Sequence, residues 1–272
     1  MNDRPDRVAE MFERARAEAR TPVVIFVPGG WPELDATVDI VLAAVEGGAD
    51  AVEIGLPFSD PLGDGPANQQ AYLESIENGF DLSQLLEAVR TLRSRGVRVP
   101  LLVMGYFNPL FSYGLNAFVQ DAAEAGIDGL IPVDLPPEEA AELESAMRDA
   151  GLHMMYLLAP TSTDERIGVV AEHASGFIYC VSVTGVTGAR TTVSAELPDF
   201  LSRVRAQTEL PLAVGFGISA REHVAEVGQH ADAAIIGSAF VTMIANAARE
   251  ERLDAIRAFM GEITGRGTAT TV

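Results

Sequence analysis

Along the chain, short apolar runs alternate with longer stretches in which apolar positions recur every three or four residues. Eight short runs read as strands: PVVIFV (22–27), ADAVEIG (49–55), VPLLVMGY (99–106), GIDGLIPV (126–133), HMMYLLA (153–159), GFIYCVSV (176–183), LPLAVGFG (210–217) and DAAIIGSAF (232–240). Between them, LDATVDIVLAAVEGG, DLSQLLEAVRTLRSRG, PEEAAELESAMRDAG and SAELPDFLSRVRAQT have helical periodicity, and most close near a glycine. Buried strands that alternate with amphipathic helices predict a parallel sheet covered on both faces. Eight such units predict an α/β fold, a (β/α)8 TIM barrel, with residues 1–272 as one domain. A doubly wound open sheet would more often show GxGxxG after its first strand, where this chain has VPGGWPE.

Before the first strand, DRVAEMFERARAEAR puts Val8, Met11, Phe12 and Ala15 on one face. This predicts an extra N-terminal helix that plugs the bottom of the barrel. The end of the chain, about residues 265–272, reads as a disordered tail.

Composition narrows the chemistry. The net charge of −20 disfavours nucleic acid and membrane surfaces, which both select clustered positive charge. No apolar run is long enough to span a bilayer, and the charged N-terminus is unlike a signal peptide, so a cytoplasmic location is expected. Cys180 stands alone within a strand and reads as a core residue. All 19 basic residues are arginine; coding bias explains the missing lysine, yet the chemical consequence holds. The chain can form no Schiff base, cannot anchor pyridoxal phosphate covalently and has no P-loop lysine.

In a barrel, chemistry collects at the C-terminal ends of the strands. Along AVEIG, alternation puts Ala51, Glu53 and Gly55 on one face. If that face points inward, Glu53 is a buried acid suited to giving and taking a proton. The competing reading pairs it with an arginine or a loop. Asp60 and Asp64 follow among prolines and glycines, where aspartate also serves plain turns. His173, His223 and His230 read as helical and His153 starts a strand, so neither a Ser-His-Asp site nor a metal site is expected. Acid-base catalysis by carboxylates remains.

Glycines follow strands six, seven and eight in VTGVTGAR, GFGIS and IIGSAF; Ser219 and Glu222 have capping-box spacing. Backbone N–H groups at such helix starts form the usual phosphate cradle of barrels, and Thr187 and Gly188 can close over a ligand.

The run EIGLPFSDPLGDGP, with YFNP, PVDLPPEE, GVTG, GFGIS and GSAF in the same order, closely resembles the tryptophan synthase α subunit family from about residue 8 to 260. The resemblance implies retro-aldol cleavage of indole-3-glycerol phosphate to indole and glyceraldehyde 3-phosphate. It implies Glu53 as the general acid-base and Asp64 as the group that holds the indole N–H. Phe26, Tyr106 and Tyr179 would line the indole pocket, with core packing as the alternative, and Gly188, Gly217, Gly237 and Ser238 would hold the phosphate. Pro57, Asp60, Pro61, Asn108, Asp134 and Pro136 match surface positions that face a β subunit in an αββα assembly. Pyridoxal phosphate belongs to that partner, and the chain itself needs no cofactor. A stand-alone indole-3-glycerol-phosphate lyase and a non-catalytic barrel that activates a β chain remain as alternatives. The sequence departs from the family after strand one, where Trp31, the only tryptophan, is expected at the indole site or the partner rim. Val183 also replaces an arginine found in some members.

Overall fold

The computed structural model describes residues 4–181, 197–215 and 217–266. The elements run α1 Arg7–Ala17, β1 Val23–Pro28, α2 Ala36–Glu46, β2 Ala51–Gly55, α3 Pro66–Glu77, α4 Leu82–Ser94, β3 Leu101–Gly105, α5 Phe107–Tyr113, α6 Leu115–Ala125 and β4 Gly129–Pro132. They continue with α7 Ala141–Asp149, β5 His153–Met154, β6 Leu157–Leu158, α8 Asp164–His173, β7 Ile178–Val181, α9 Leu197–Arg205, β8 Leu212–Gly215, α10 Arg221–Val227, β9 Ala233–Ile236, α11 Ser238–Asn246 and α12 Arg252–Thr264.

The strands form one parallel sheet in the order β5-β4-β3-β2-β1-β9-β8-β7-β6. The predicted fifth strand is divided: β5 pairs with β4 and β6 pairs with β7. Between them, Met155 N–H donates to Leu130 O at 2.9 Å and Tyr179 N–H donates to Tyr156 O at 3.0 Å. Met155 and Tyr156 therefore carry the chain across the seam and close the ring. The fold is a (β/α)8 barrel.

Alternation separates the two faces of the strands. Val24, Ala51, Leu102, Ile131, Phe177, Ala213 and Ala233 form an inner cluster with Val8, Met11 and Phe12 of α1. Phe12 meets Phe177 edge to face at 6.2 Å. The N-terminal helix thus plugs the barrel as its apolar stripe predicts, and Asp6 caps it by accepting Ala9 N–H at 2.9 Å.

Two buried aspartates and the half-buried Asp232 tie down the opposite end from the site. Asp50 accepts Val23 N–H at 2.9 Å and is ringed by Arg20 and Arg266. Asp128 accepts Leu101 N–H at 2.8 Å and pairs with Arg93 and Arg7. Asp232 accepts Leu212 N–H at 2.8 Å and pairs with Arg205. Each carboxylate thereby satisfies the first free donor of a neighbouring strand and is itself matched by arginine. Of the expected tail, Gly265 closes α12 in the left-handed region and Arg266 is held by Asp50; residues 267–272 lie outside the described residues.

Candidate active site

Ala51 belongs to the inner cluster, so Glu53 and Gly55, two and four residues on, also face the barrel interior. Glu53 is fully buried, and among the described residues neither carboxyl oxygen has a hydrogen-bond partner. Burial alone pushes its carboxyl up from 4.5 to about 8. This bears on the choice left by the sequence: among the described residues no arginine pairs with Glu53. It is an acid held protonated at neutral pH inside a closed wall.

Phe26 stands beside Glu53 in register on β1. Its ring meets Tyr72 of α3 edge to face at 6.1 Å. Both crowd Gly55, where an added Cβ would lie 2.7 Å from the Tyr72 hydroxyl and 2.8 Å from the Phe26 ring. Tyr179 faces inward from β7 and packs across Gly215 in the same way, its hydroxyl 2.7 Å from the place of a Cβ. Small residues at these strand ends make room for aromatic rings, which is why the mouth of the barrel is apolar around Glu53.

Asp64 enters from the loop after β2, immediately before α3, whose first helical residue is Pro66. It is 8% exposed. Tyr106, at the end of β3, donates its hydroxyl to Asp64 Oδ2 at 2.8 Å while accepting Gly63 N–H at 2.9 Å, and its ring stacks on Phe58 at 5.0 Å. Gln69 Nε2 donates to the Asp64 carbonyl at 2.8 Å, and Asn68 Nδ2 approaches Asp64 Oδ1 at 3.4 Å. Burial raises the Asp64 carboxyl, and the Tyr106 and Asn68 donors hold it back. Asp64 is thus more than a turn former. Its charge also bears on the buried Tyr72 and Tyr179 hydroxyls, as does that of Glu53, so the four groups share one electrostatic environment.

Across the mouth, Gly237 caps the N-terminus of α11 and Ser238 begins the helix. A Cβ on Gly237 would lie 3.9 Å from Phe26 Cβ, which puts these N–H groups beside the aromatic wall. Gly217 follows β8, is exposed, and has open space where a Cβ would stand. The expected capping box of Ser219 and Glu222 does not form: α10 starts at Arg221 with Ala220 as N-cap, and Ser219 N–H instead donates to His223 Nδ1 at 3.3 Å. Thr187, Gly188 and Val183 lie outside the described residues.

Residues 12–264 match the family model for the tryptophan synthase alpha chain. The chain belongs to the tryptophan synthase alpha chain family. It is 50% identical over 238 residues to the alpha chain of Roseiflexus castenholzii, covering 88% of this chain and 91% of that one. Its fold superposes on a solved Mycobacterium tuberculosis tryptophan synthase chain with a TM-score of 0.87 at 37% identity, covering 96% and 97% of the two chains. The Legionella pneumophila alpha subunit gives a TM-score of 0.87 at 34% identity, covering 96% and 98%.

Within this family frame, the positions expected to face a partner divide. Asp60, Asn108, Asp134 and Pro136 are exposed and Pro61 is half-buried, but Pro57 is buried at the root of the loop. Asp134 also has a local task, accepting Phe107 N–H at 2.7 Å. Leu62, 89% exposed, and Phe111, 63% exposed, lie among these positions and escaped the sequence reading. Trp31 occupies neither expected place. It is buried on the outer side of the barrel wall, and its Nε1 donates to Glu74 of α3 at 2.7 Å. Asn68 and Tyr72 were also missed, although they follow Asp64 at helical intervals of four; Asn68 Oδ1 is buried without a partner.

Proposed function

We propose that this chain cleaves indole-3-glycerol phosphate into indole and glyceraldehyde 3-phosphate, as the α subunit of tryptophan synthase. The observation that carries the reading is Glu53: a fully buried, unpaired and protonated carboxyl at the mouth of a barrel whose sequence belongs to that family. The phosphate is held by N–H groups at Gly217, Gly237 and Ser238. The indole ring lies against Phe26, Tyr179 and Tyr106, and Asp64 accepts its N–H.

Glu53 then gives its proton to indole C3, forming an indolenine cation whose positive nitrogen is stabilised by ionised Asp64. The resulting Glu53 carboxylate takes the proton of the C3′ hydroxyl. The bond between C3 and C3′ breaks, its electrons return to the ring nitrogen, and the hydroxyl carbon becomes the aldehyde of glyceraldehyde 3-phosphate. The indole ring is its own electron acceptor, which suits a chain with no lysine to form an imine. The role is that of a carbon-carbon lyase in the cytoplasm.

The partner is a β subunit that holds pyridoxal phosphate and receives the indole in an αββα assembly. Its docking surface is the exposed rim of Asp60, Pro61, Leu62, Asn108, Phe111, Asp134 and Pro136 around the mouth. Assay of indole release by the purified chain alone and with a β subunit tests both parts. Strong stimulation supports the subunit reading, and high unassisted turnover would replace it with the stand-alone lyase. No indole in either assay would reject the activity and leave the chain as a non-catalytic activator.

A further inference from the structure

Outside the barrel wall, between α3 and α11, lies a cleft of about 310 Å³, within the size range of small-ligand sites. It contains neither Glu53 nor Asp64. Three independent features meet there. Trp31, at the loop where the sequence leaves the family pattern, lines the cleft, and α11 lines it with Val241, Thr242, Ile244, Ala245 and Asn246. Arg252, nine-tenths buried, lines the cleft: its Nη1 and Nη2 donate to Glu33 at 2.5 and 3.3 Å, while its Nε–H is buried with no acceptor among the described residues. A buried donor with no partner is costly and calls for an acceptor. Glu74 supplies the complementary edge, with Oε2 held by Trp31 Nε1 and Oε1 held by Gln70 Nε2 at 2.8 Å.

We propose that this cleft is a second binding site, specific for a small, neutral, planar aromatic carboxamide or lactam. The flat body lies between the Trp31 indole and the α11 face that carries Ala245. Its carbonyl accepts the Arg252 Nε–H, and its amide N–H is offered to Glu74 or Asn246. Neutrality follows from the charges. Glu33 already matches the Arg252 guanidinium, Arg249 meets Glu33 only at 3.9 Å and is 69% exposed, and Glu74 adds a negative charge. A carboxylate would enter against Glu74 without gaining a free cation.

Trp31 is the only tryptophan, so indole emission excited beyond the tyrosine absorption band reports on this cleft alone. Benzamide is the probe, and benzoate is its anionic isostere. Benzamide is expected to change Trp31 emission saturably, with benzoate at least tenfold weaker. Arg252→Met should weaken benzamide at least tenfold, and Glu53→Gln should leave its binding unchanged. Because Arg252→Met also breaks the Glu33 pair, Ala245→Phe serves as a second variant that fills the cleft from an exposed helix position, and it should abolish saturation. A linear, unsaturable response, equal binding of benzoate, or saturable binding that survives Ala245→Phe would overturn the assignment.

Discussion

Tyr106 donates its hydroxyl to Asp64 Oδ2 at 2.8 Å while accepting Gly63 N–H at 2.9 Å, so one phenol fixes both the loop after β2 and the carboxylate it carries. The β3 strand end thus positions a residue that belongs to the loop after β2. Burial works to protonate Asp64, and Tyr106 opposes it. Tyr106→Phe is expected to lower kcat/KM about tenfold, the loss of one hydrogen bond to a charged group. The same change moves the acid limb of the pH-rate profile upward, because a carboxylate stripped of its donor protonates at higher pH. An unmoved limb would show that Tyr106 is merely packing.

Glu53→Gln should reduce indole formation by about 10²–10⁴, the usual range for losing a general acid-base. Asp64→Asn should also cost orders of magnitude, with the fold retained in both variants by circular dichroism. Near-normal turnover in either would reject the roles given above.

The same glutamate burdens the fold. In the unfolded chain it ionises near 4.5, whereas in the fold it keeps its proton to about 8. Between these values only the unfolded state gains from ionisation, so stability falls as pH rises from about 4.5 to about 8. At pH 7 the cost is about 3 kcal/mol at ~1.4 kcal/mol per pH unit. Glu53→Gln should therefore melt several degrees above the parent at pH 7 and lose that advantage at pH 4.5. Equal melting temperatures at both pH values would show that Glu53 is solvated.

The alkaline limb of kcat/KM should fall near pH 8, where Glu53 loses the proton that indole C3 must receive. A profile flat through pH 9.5 would remove Glu53 as the acid.

Gly55→Ala puts a methyl group 2.7 Å from the Tyr72 hydroxyl and 2.8 Å from the Phe26 ring. The expected result is about 1–3 kcal/mol of destabilisation with loss of activity, measured by denaturant titration and indole assay.

Phe111→Asp replaces a 63% exposed ring on the partner-facing rim. The ratio of turnover with and without β subunit should drop at least tenfold. An unchanged ratio would place the docking surface elsewhere.

Periodicity revealed most of the barrel because alternation and helical spacing are local properties. The two-residue period of AVEIG put Glu53 on one face with Ala51 and Gly55, and the inner packing of Ala51 in the structure then decided that this face points inward. The fifth strand was harder, since Met155 and Tyr156 break its ladder to close a ring, and ring closure involves strands distant in sequence. The Ser219 capping signal failed for a similar reason: the helix begins two residues later, and His223 takes the Ser219 N–H. Leu62 and Phe111 look like ordinary core residues in sequence, and only their exposure marks them as surface.

The sequence by itself determined the strand-helix alternation, the plug helix, the lysine-free chemistry and the candidate acids, because residue type and spacing are properties of the chain alone. Only the tertiary structure decided that Glu53 has no partner among the described residues, that Tyr106 holds Asp64 and that Trp31 turns away from the mouth. Desolvation and hydrogen-bond partnership depend on what other strands and helices bring alongside, and no local pattern contains that information.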